Sequence, residues 1–285
     1  MNILVTGANG QLGNELRKVA AQSKQGDTWF FTDVAELDIC DETAIELFVK
    51  SNEIECILNC AAYTNVNGAE SNVELCDRLN HLAPGNLARV AKSNYCRLVH
   101  ISTDYVFNGK HYMPYTEDDE PCPNSVYGST KLAGEKLVQA CYPQAIIIRT
   151  AWLYSSFGNN FVKTMIKLGQ ERTSVGVVFD QIGTPTYAFD LARAIDKIIH
   201  SVAWVPGIYH YSDEGVCSWY DFAKAIHEYA GLSEKCFVRP LHTVDYPTPA
   251  SRPPYSVLDK TKIKNIYGVV VPHWTVSLKE CIKEL

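Results

Sequence analysis

The 285-residue sequence lacks several features that mark particular classes of protein. It has no apolar run near the roughly 20 residues that a membrane-spanning helix needs. No basic segment with an apolar stretch precedes the first strand-like residues at position 3, as a secretion signal would require. Lysines and arginines number 26 against 32 acidic residues, so a basic face for nucleic acid is not expected. We therefore expect a cytoplasmic protein that binds neither membranes nor nucleic acid.

The cysteines and histidines form no recognisable framework. The ten cysteines are scattered without a C-x-x-C pair, and the eight histidines make no metal-ligand cluster. Several cysteines lie in apolar runs such as "IECILNCAA" (54–62). We interpret them as buried thiols of a reducing compartment, and we predict no metal site.

Short apolar runs alternate with helical patterns in the first half of the chain. Runs that are apolar throughout indicate strands buried on both faces. The predicted strands are 2–7, 28–33, 55–62, 97–102 and 145–150, and the predicted helices are 12–23, 41–52, 72–94 and 125–140. This alternation predicts an α/β fold with a doubly wound, Rossmann-like parallel sheet, whose ligands lie at the carboxyl ends of the strands.

The character of the sequence changes after residue 150. Proline-containing turns separate predicted helices at 159–171, 187–203 and 218–230. We expect residues 1–150 to form a dinucleotide-binding domain. Residues 151–285 should form a smaller, irregular and mainly substrate-binding α/β region, with some segments returning to the first domain.

A glycine-rich turn, "VTGANGQLG" (5–13), joins the first strand to the first helix. Gly7, Gly10 and Gly13 would permit the tight turn, a close approach of the backbone to a diphosphate, and close packing of the helix on the strand. The amides at the helix start would then meet the diphosphate. A glycine-rich turn without a ligand is the alternative, but the position between strand and helix favours a dinucleotide.

Acidic and small residues follow the next two strands. Asp33 ends the second strand, where a carboxylate can accept hydrogen bonds from the adenosine ribose. No Arg or Lys lies nearby in the sequence to bind a 2′-phosphate, which favours NADH over NADPH. Asp38 and Ile39 are candidates for adenine contacts, and Ala61 and Ala62 leave room for a cofactor. Asp33 could instead be a turn residue, Asp38 and Ile39 could belong to a helix-capping region, and Ala61 and Ala62 could be small core residues.

Hydroxyls and a Tyr–Lys pair provide the candidate chemistry. Ser102 and Thr103 end the fourth strand, and Tyr127 and Lys131 share one face of a predicted helix. Such a pair in isolation is more often a solvated helix face. Here it follows a glycine turn and a strand-end hydroxyl in that order, which favours hydride transfer at a carbon–oxygen bond.

Each of these side chains then has an expected role. Tyr127 would be the general acid or base, and the Lys131 ammonium, with the charge of an oxidised nicotinamide, would lower its pKa from about 10. Lys131 would also hold the nicotinamide ribose. Thr103 would orient the substrate carbonyl.

Seven segments together resemble the extended short-chain dehydrogenase/reductases and, more narrowly, the dTDP-4-dehydrorhamnose reductase family. The resemblance covers nearly the whole chain, and its last three segments are the most specific to the narrower family. The segments are "MNILVTGANGQLG", "LNCAAYTNVNGAE", "STDYVFNG", "NSVYGSTKLAGE", "RTAWLYSSFGNNF", "DQIGTPT" and "YPTPASRP".

The resemblance implies reduction of the C4 ketone of dTDP-4-dehydro-β-L-rhamnose by a nicotinamide cofactor, with Tyr127 as proton donor. The family is commonly described with NADPH and often accepts both nucleotides. Sugar contacts would come from Asp104, Tyr105 and Trp152. Dinucleotide contacts would come from Gly10, Gln11, Leu12, Asp33, Asp38, Ile39, Ala61, Ala62, Tyr63 and Lys131.

Three further assignments each have an alternative interpretation. Asn160 either binds substrate or caps the helix that follows it. Arg252 either contacts the substrate diphosphate or is an exposed loop arginine. Some family members are described as magnesium-linked dimers, with Glu15 and Asp190 as counterparts here; a homodimer is therefore an expectation, whereas the sequence itself supports no magnesium site.

Two classes of alternative remain to be separated from a reductase: a related nucleotide-sugar enzyme and a non-catalytic subunit. A nucleotide-sugar 4,6-dehydratase would need a second acid after Asp104, where this chain has Tyr105, and a 4-epimerase would retain its cofactor after purification. A catalytically silent regulatory subunit need not keep the Tyr–Lys pair or Trp152, and this chain has all three.

Overall fold

The computed structural model describes residues 1–285 and contains twelve strands. They are β1 (Asn2–Thr6), β2 (Thr28–Thr32), β3 (Cys56–Asn59), β4 (Arg97–Thr103), β5 (Ile146–Thr150), β6 (Leu153–Tyr154), β7 (Ser174–Val178), β8 (Ile182–Gly183), β9 (Thr186–Tyr187), β10 (Gly207–Tyr211), β11 (Cys217–Ser218) and β12 (Phe237–Leu241). Six of them form one sheet in the order β10-β5-β4-β3-β1-β2, and every neighbouring pair is parallel. The predicted parallel sheet is thereby confirmed.

Eleven α-helices connect and cover these strands. They are α1 (Gln11–Gln22), α2 (Glu42–Ser51), α3 (Val66–Ala69), α4 (Val73–Asp77), α5 (Ala83–Ser93), α6 (Val126–Cys141), α7 (Phe161–Glu171), α8 (Ala188–Ile199), α9 (Trp219–Tyr229), α10 (Thr261–Tyr267) and α11 (Trp274–Lys283). A π-helical turn, Arg78–Leu82, joins α4 to α5, and short 3₁₀ turns lie at Asp104–Val106 and Thr243–Asp245. None of the helices is long and apolar enough to cross a membrane.

The apolar strands are buried on both faces, as the unbroken apolar runs indicate. Ile3 and Val5 of β1 belong to a core of 22 residues that α1 and α8 cover. Leu4, between them, belongs to a second core of 17 residues on the opposite face, beneath α2 and α5. Because successive side chains of a strand point to opposite faces, a sheet with helices on both sides requires this pattern.

The second half of the chain both extends this sheet and builds its own core. β10 is the edge strand beside β5, and α8 packs against α1. A separate core of 15 residues lies among α7, α9, α11 and the short strands. The division into domains at residue 150 stays a prediction.

The predicted elements differ from the structure in a few places. The predicted helical region 72–94 is helical from Val73 to Ser93, but Arg78–Leu82 is a π-helical turn, because Pro84 has no N–H to bond the Asn80 carbonyl and its ring crowds that carbonyl. The predicted helix 187–203 ends at Ile199, and Val202 beyond it is fully exposed with no surface to pack against. The edge strand β10 and the helices α10 and α11 were not predicted.

Candidate active site

A cavity of about 900 Å³ lies at the carboxyl ends of β1 to β5, where the predicted fold places its ligands. Residues from both halves of the chain line it. They include Gly7, Gly10, Gln11, Leu12, Gly13, Asp33, Asp38, Ile39, Ala61, Ala62, Arg78, Thr103, Asp104, Tyr105, Tyr127, Lys131, Trp152 and Asn160. The sequence-predicted residues of both the nucleotide end and the chemical end are therefore brought to one cavity.

The glycine turn between β1 and α1 is built by close contacts. Gly7 has φ +64°, and a Cβ there would lie 2.6 Å from the Ala61 backbone. A Cβ at Gly13 would lie 2.5 Å from the Ala8 Cα, so the helix could not approach β1 as closely. At Gly10 a Cβ would instead meet only the Gly7 carbonyl, at 3.2 Å, and would otherwise face open space.

The start of α1 presents free donors to this space. Gly10 caps the helix without a side-chain hydrogen bond, and the amides of Gln11 and Leu12 have no partner in the protein. Unpaired amides at a helix start, with no side chain over Gly10, suit a diphosphate. The turn therefore fits the dinucleotide that its sequence suggests.

The two acidic residues after β2 are partly engaged by the backbone. Asp33 accepts hydrogen bonds from the Asn9 amide (3.0 Å) and the Val34 amide (2.8 Å). Asp38 accepts one from the Cys40 amide (2.9 Å). Both carboxylates still line the cavity, so a ribose or adenine contact remains their predicted role.

Thr103 and Asp104 form a buried polar pair at the end of β4. The Thr103 hydroxyl donates to the Asp104 carboxylate at 3.0 Å and accepts from the Tyr105 amide at 3.2 Å. The other carboxylate oxygen of Asp104, Oδ2, is buried without a partner. Burial raises the pKa of Asp104 to about 6, although the nearby Ser256 hydroxyl and the hydrogen bond from Thr103 oppose that rise. An unpaired carboxylate oxygen at the cavity wall suits a substrate hydroxyl.

Tyr127 lies in the first turn of α6, which Ser125 caps by accepting from the Gly128 amide at 3.1 Å. Its ring meets the ring of Tyr105 edge-on, with centroids 5.4 Å apart. Burial raises the pKa of the Tyr127 phenol well above its ordinary value, and the nearby Thr103 hydroxyl opposes this only in part. In the protein alone desolvation is the largest influence on this pKa. The expected lowering by Lys131 together with an oxidised nicotinamide stays a prediction.

Lys131 is almost completely buried one helical turn further on. Its ammonium donates to the Ile101 carbonyl at 2.7 Å. Burial lowers the pKa of Lys131 to about 8, while the charge of Glu135 opposes that shift. The Lys131 side chain is thus held against the end of β4. It lines the cavity one helical turn after Tyr127.

The second half contributes Trp152 and Asn160 to the cavity. Trp152 has φ +47°, and its ring stacks on Trp219 with centroids 3.7 Å apart. Asn160 accepts from the Lys163 amide at the start of α7 and donates to the Gln11 Oε1 at 2.9 Å. Asn160 is therefore a helix cap and also a cavity residue.

Two predicted residues do not line the cavity. The Tyr63 backbone is clamped by Asn80, which accepts from its amide at 2.8 Å and donates to its carbonyl at 3.1 Å. Arg252 is half-buried rather than exposed, lies near Tyr105, and has a buried Nε without a partner. The ligand contacts of both residues stay predictions.

The two carboxylates considered for magnesium are buried and already bonded. Glu15 accepts from Ser155 at 2.6 Å and pairs with Lys18 at 2.9 Å. Asp190 accepts from Ser277 at 2.6 Å. No group of three or more metal-ligating side chains occurs in the structure.

Sequence reasoning missed the part of the cavity wall that α4 and the π-helical turn after it provide. Leu75, Arg78 and Leu79 line the cavity together with residues of the loop after β2. The region around 72–94 was predicted only as helical, which gives no indication of the face it would turn to a ligand. Pro84 was the signal that could have located the break.

Known proteins of one family are similar to this chain along its whole length. A family model described as the RmlD substrate binding domain matches residues 1–285. The dTDP-4-dehydrorhamnose reductase of Aggregatibacter actinomycetemcomitans is 40% identical over 285 residues, which cover 97% of this chain and 97% of that protein.

Two solved structures are similar in both fold and sequence. A dTDP-4-dehydrorhamnose reductase from Clostridium acetobutylicum has a TM-score of 0.94 and 44% identity, covering 99% of each chain. The dTDP-4-dehydrorhamnose reductase of Bacillus anthracis in complex with NADP has a TM-score of 0.94 and 38% identity, covering 100% of this chain and 99% of that one. This chain therefore belongs to the RmlD substrate binding domain family.

Proposed function

We propose that this protein reduces the C4 ketone of dTDP-4-dehydro-β-L-rhamnose to dTDP-L-rhamnose with NADPH or NADH, the last step of dTDP-rhamnose synthesis. One observation carries the proposal: a single cavity joins a glycine turn suited to a dinucleotide to the buried Thr103, Tyr127 and Lys131. The 40% identity to a dTDP-4-dehydrorhamnose reductase over nearly the whole chain supports the choice of substrate.

The residues of the nucleotide end would hold the cofactor. The free amides of Gln11 and Leu12 would meet its diphosphate, Asp33 its adenosine ribose, and Lys131 its nicotinamide ribose. When bound, the reduced nicotinamide supplies the hydride that reaches the ketone carbon. The relative from Bacillus anthracis holds NADP, which supports a nicotinamide dinucleotide here.

The protein side chains supply the proton. Because burial raises its pKa, Tyr127 keeps its phenolic proton at neutral pH and can give it to the ketone oxygen. Lys131, with a pKa of about 8, is largely protonated at that pH and stabilises the phenolate that results. Thr103 orients the ketone by donating its proton there instead of to Asp104.

Two aromatic side chains shape the sugar pocket. Trp152 forms an apolar wall, and its stacking on Trp219 restricts its movement. Asp104 offers its unpaired Oδ2 to a sugar hydroxyl. The position after Asp104 is Tyr105 rather than a second acid, which disfavours a dehydratase.

The test combines the purified protein with dTDP-glucose, a 4,6-dehydratase, a 3,5-epimerase, and NADPH or NADH. We expect nucleotide oxidation and formation of dTDP-rhamnose, followed by absorbance and by identification of the sugar. Tyr127→Phe should bind the cofactor normally but lose at least about 100-fold in kcat, the usual contribution of a general acid. Tyr95→Phe, at an exposed position, is the matched control and should keep full activity.

Two results would contradict the proposal. The substrate assignment fails if neither nucleotide is oxidised and no rhamnose forms. The proton-donor role fails if Tyr127→Phe turns over at a rate near that of Tyr95→Phe.

The cellular setting is part of the same proposal. All ten cysteines are free thiols, and six of them are buried. Unpaired thiols in this number are compatible with a reducing compartment, so we propose that the enzyme acts in the cytoplasm. A homodimer remains a prediction from the family resemblance.

A further inference from the structure

We propose that Arg78 binds the 2′-phosphate of the adenosine ribose and so makes NADPH the better-bound cofactor. The inference rests on the proposed function only in that the cavity takes a nicotinamide dinucleotide. It concerns a residue that the sequence motifs do not indicate, on an element other than the glycine turn and the β2 strand.

Arg78 lies at the adenosine end of the cavity. It begins the π-helical turn and lines the cavity together with Asp33, Asp38 and Cys40 of the loop after β2. Its charge is close enough to the Cys40 thiol to lower the pKa of that thiol against the effect of burial. In this fold the adenosine ribose is bound beside the carboxyl end of β2, which Asp33 directly follows.

The guanidinium of Arg78 is available to a ligand. Arg78 is exposed, and it makes no ion pair and no side-chain hydrogen bond within the protein. Two other arginines, Arg89 and Arg149, are paired with Glu42 at 2.8 Å and with Glu135 at 2.7 Å. Arg78 is the one arginine that lines the cavity. A cation at a cavity wall without a carboxylate partner is the group that a bound phosphate requires.

The nearby carboxylates do not neutralise this cation. Asp33 accepts from two backbone amides and Asp38 from one, and neither lies within ion-pair distance of Arg78. Without a cation, the Asp33 carboxylate would repel a 2′-phosphate and the cavity would favour NADH. Arg78 supplies five donors in a planar fork, which matches a phosphate, and it offsets the charge of Asp33.

The experiment measures binding and needs no turnover. NADPH, NADH, 2′,5′-ADP and 5′-AMP are titrated by calorimetry into the parent protein and into Arg78→Gln, Arg78→Lys and Arg172→Gln. Arg172 is an exposed arginine outside the cavity, so its variant controls for the loss of one positive charge. Thermal melts confirm that each variant is folded.

Arg78→Gln should weaken NADPH and 2′,5′-ADP by roughly 10- to 100-fold, the usual effect of losing a hydrogen-bonded charge. NADH and 5′-AMP should change less than about twofold, and Arg78→Lys should give an intermediate loss for the phosphorylated pair. Arg172→Gln should bind all four ligands like the parent.

Three outcomes would overturn the inference. Unchanged NADPH binding would show that Arg78 does not meet the phosphate. An equal loss for NADPH and NADH would assign Arg78 to a part of the nucleotide that both share. A similar loss of NADPH affinity in Arg172→Gln would show that the affinity depends on net charge and not on a contact with Arg78. A parent protein that binds NADPH but forms no rhamnose would refute the proposed reaction and leave this inference standing.

Discussion

At the scale of single residues, the proposed reaction centre contains ionisable groups that burial drives towards their neutral forms. The pKa of Tyr127 is raised, that of Lys131 is lowered to about 8, and that of Asp104 is raised to about 6. Desolvation is the largest cause in all three cases. A phenol that stays protonated suits a reductase, since the proton must be present when the ketone oxygen gains charge.

The Lys131 pKa leads to a prediction about pH. Lys131 stabilises the Tyr127 phenolate only while it is protonated, so kcat for reduction should fall as the pH rises through about 8. A pH–rate profile from pH 6 to 10 at saturating cofactor measures this. Lys131→Arg, which stays charged over this range, should move the alkaline limb upward or remove it.

The same alkaline limb in the parent and in Lys131→Arg would assign the titration to another group. Protein stability is followed across the pH range in parallel. This separates a loss of charge at Lys131 from a loss of folded enzyme.

At the scale of elements, the break between α4 and α5 shapes two parts of the site. The break frees the Asn80 carbonyl to face α6, and the Asn80 side chain holds the Tyr63 backbone beyond β3. The same turn carries Arg78 to the cavity wall. A single proline, Pro84, is thus associated with the packing of the catalytic helix and with the shape of the nucleotide end.

The contact between this turn and α6 gives a prediction about stability. A Cβ at Gly134 of α6 would lie 2.0 Å from the Asn80 carbonyl oxygen, so Gly134→Ala should force the two helices apart. We expect a loss of about 2 to 4 kcal/mol in the free energy of unfolding, as for overpacked core sites. Denaturant unfolding followed by circular dichroism measures it.

Gly85→Ala is the matched control. A Cβ at Gly85 of α5 would meet the Leu137 side chain, which can turn away, rather than backbone. The gain in helix propensity from glycine to alanine, up to about 1 kcal/mol, is available at both positions. Equal stability of the two variants would show that the Gly134 contact does not limit the approach of α6.

The sequence was sufficient to predict those strands and helices that a local pattern of residues determines. Each of β1 to β5 contains a short apolar run and α2 begins after its cap Asp41, so these elements lie near their predicted positions. The stacking of Trp152 on Trp219 and the clamp of Asn80 on Tyr63 join residues far apart in sequence, and no local pattern contains them. The strand β10 was missed because "GIYHY" has a single aliphatic residue, Ile208, and follows an irregular turn with a proline.

At the scale of the whole molecule, the main sheet is completed by residues from the second half of the chain. Eleven of the 22 residues in the core beneath α1 and α8 lie beyond residue 150. They include Leu191 and Ile195 of α8 and Tyr209 and Tyr211 of β10. The residues of the first half therefore lack half of one core when they are alone.

This arrangement predicts the behaviour of a fragment. Residues 1–150 alone should show no cooperative thermal transition and should bind no dinucleotide, because one face of the sheet is uncovered and β5 has lost its neighbour. Calorimetry, near-ultraviolet circular dichroism and nucleotide titration of the fragment and the full chain measure this. A sharp transition with nucleotide binding in the fragment would show instead that the first half folds independently.

The late position of β10 also has a consequence for how the protein is made. β5 leaves the ribosome some 60 residues before β10, which at about 5 to 20 residues per second is a delay of about 3 to 12 s. During that interval Ile146, Ile147 and Ile148 form an unpaired apolar strand edge on a nascent chain. Newly synthesised chains should therefore depend on chaperones until the edge strand arrives, and rapid overproduction should favour inclusion bodies over active enzyme.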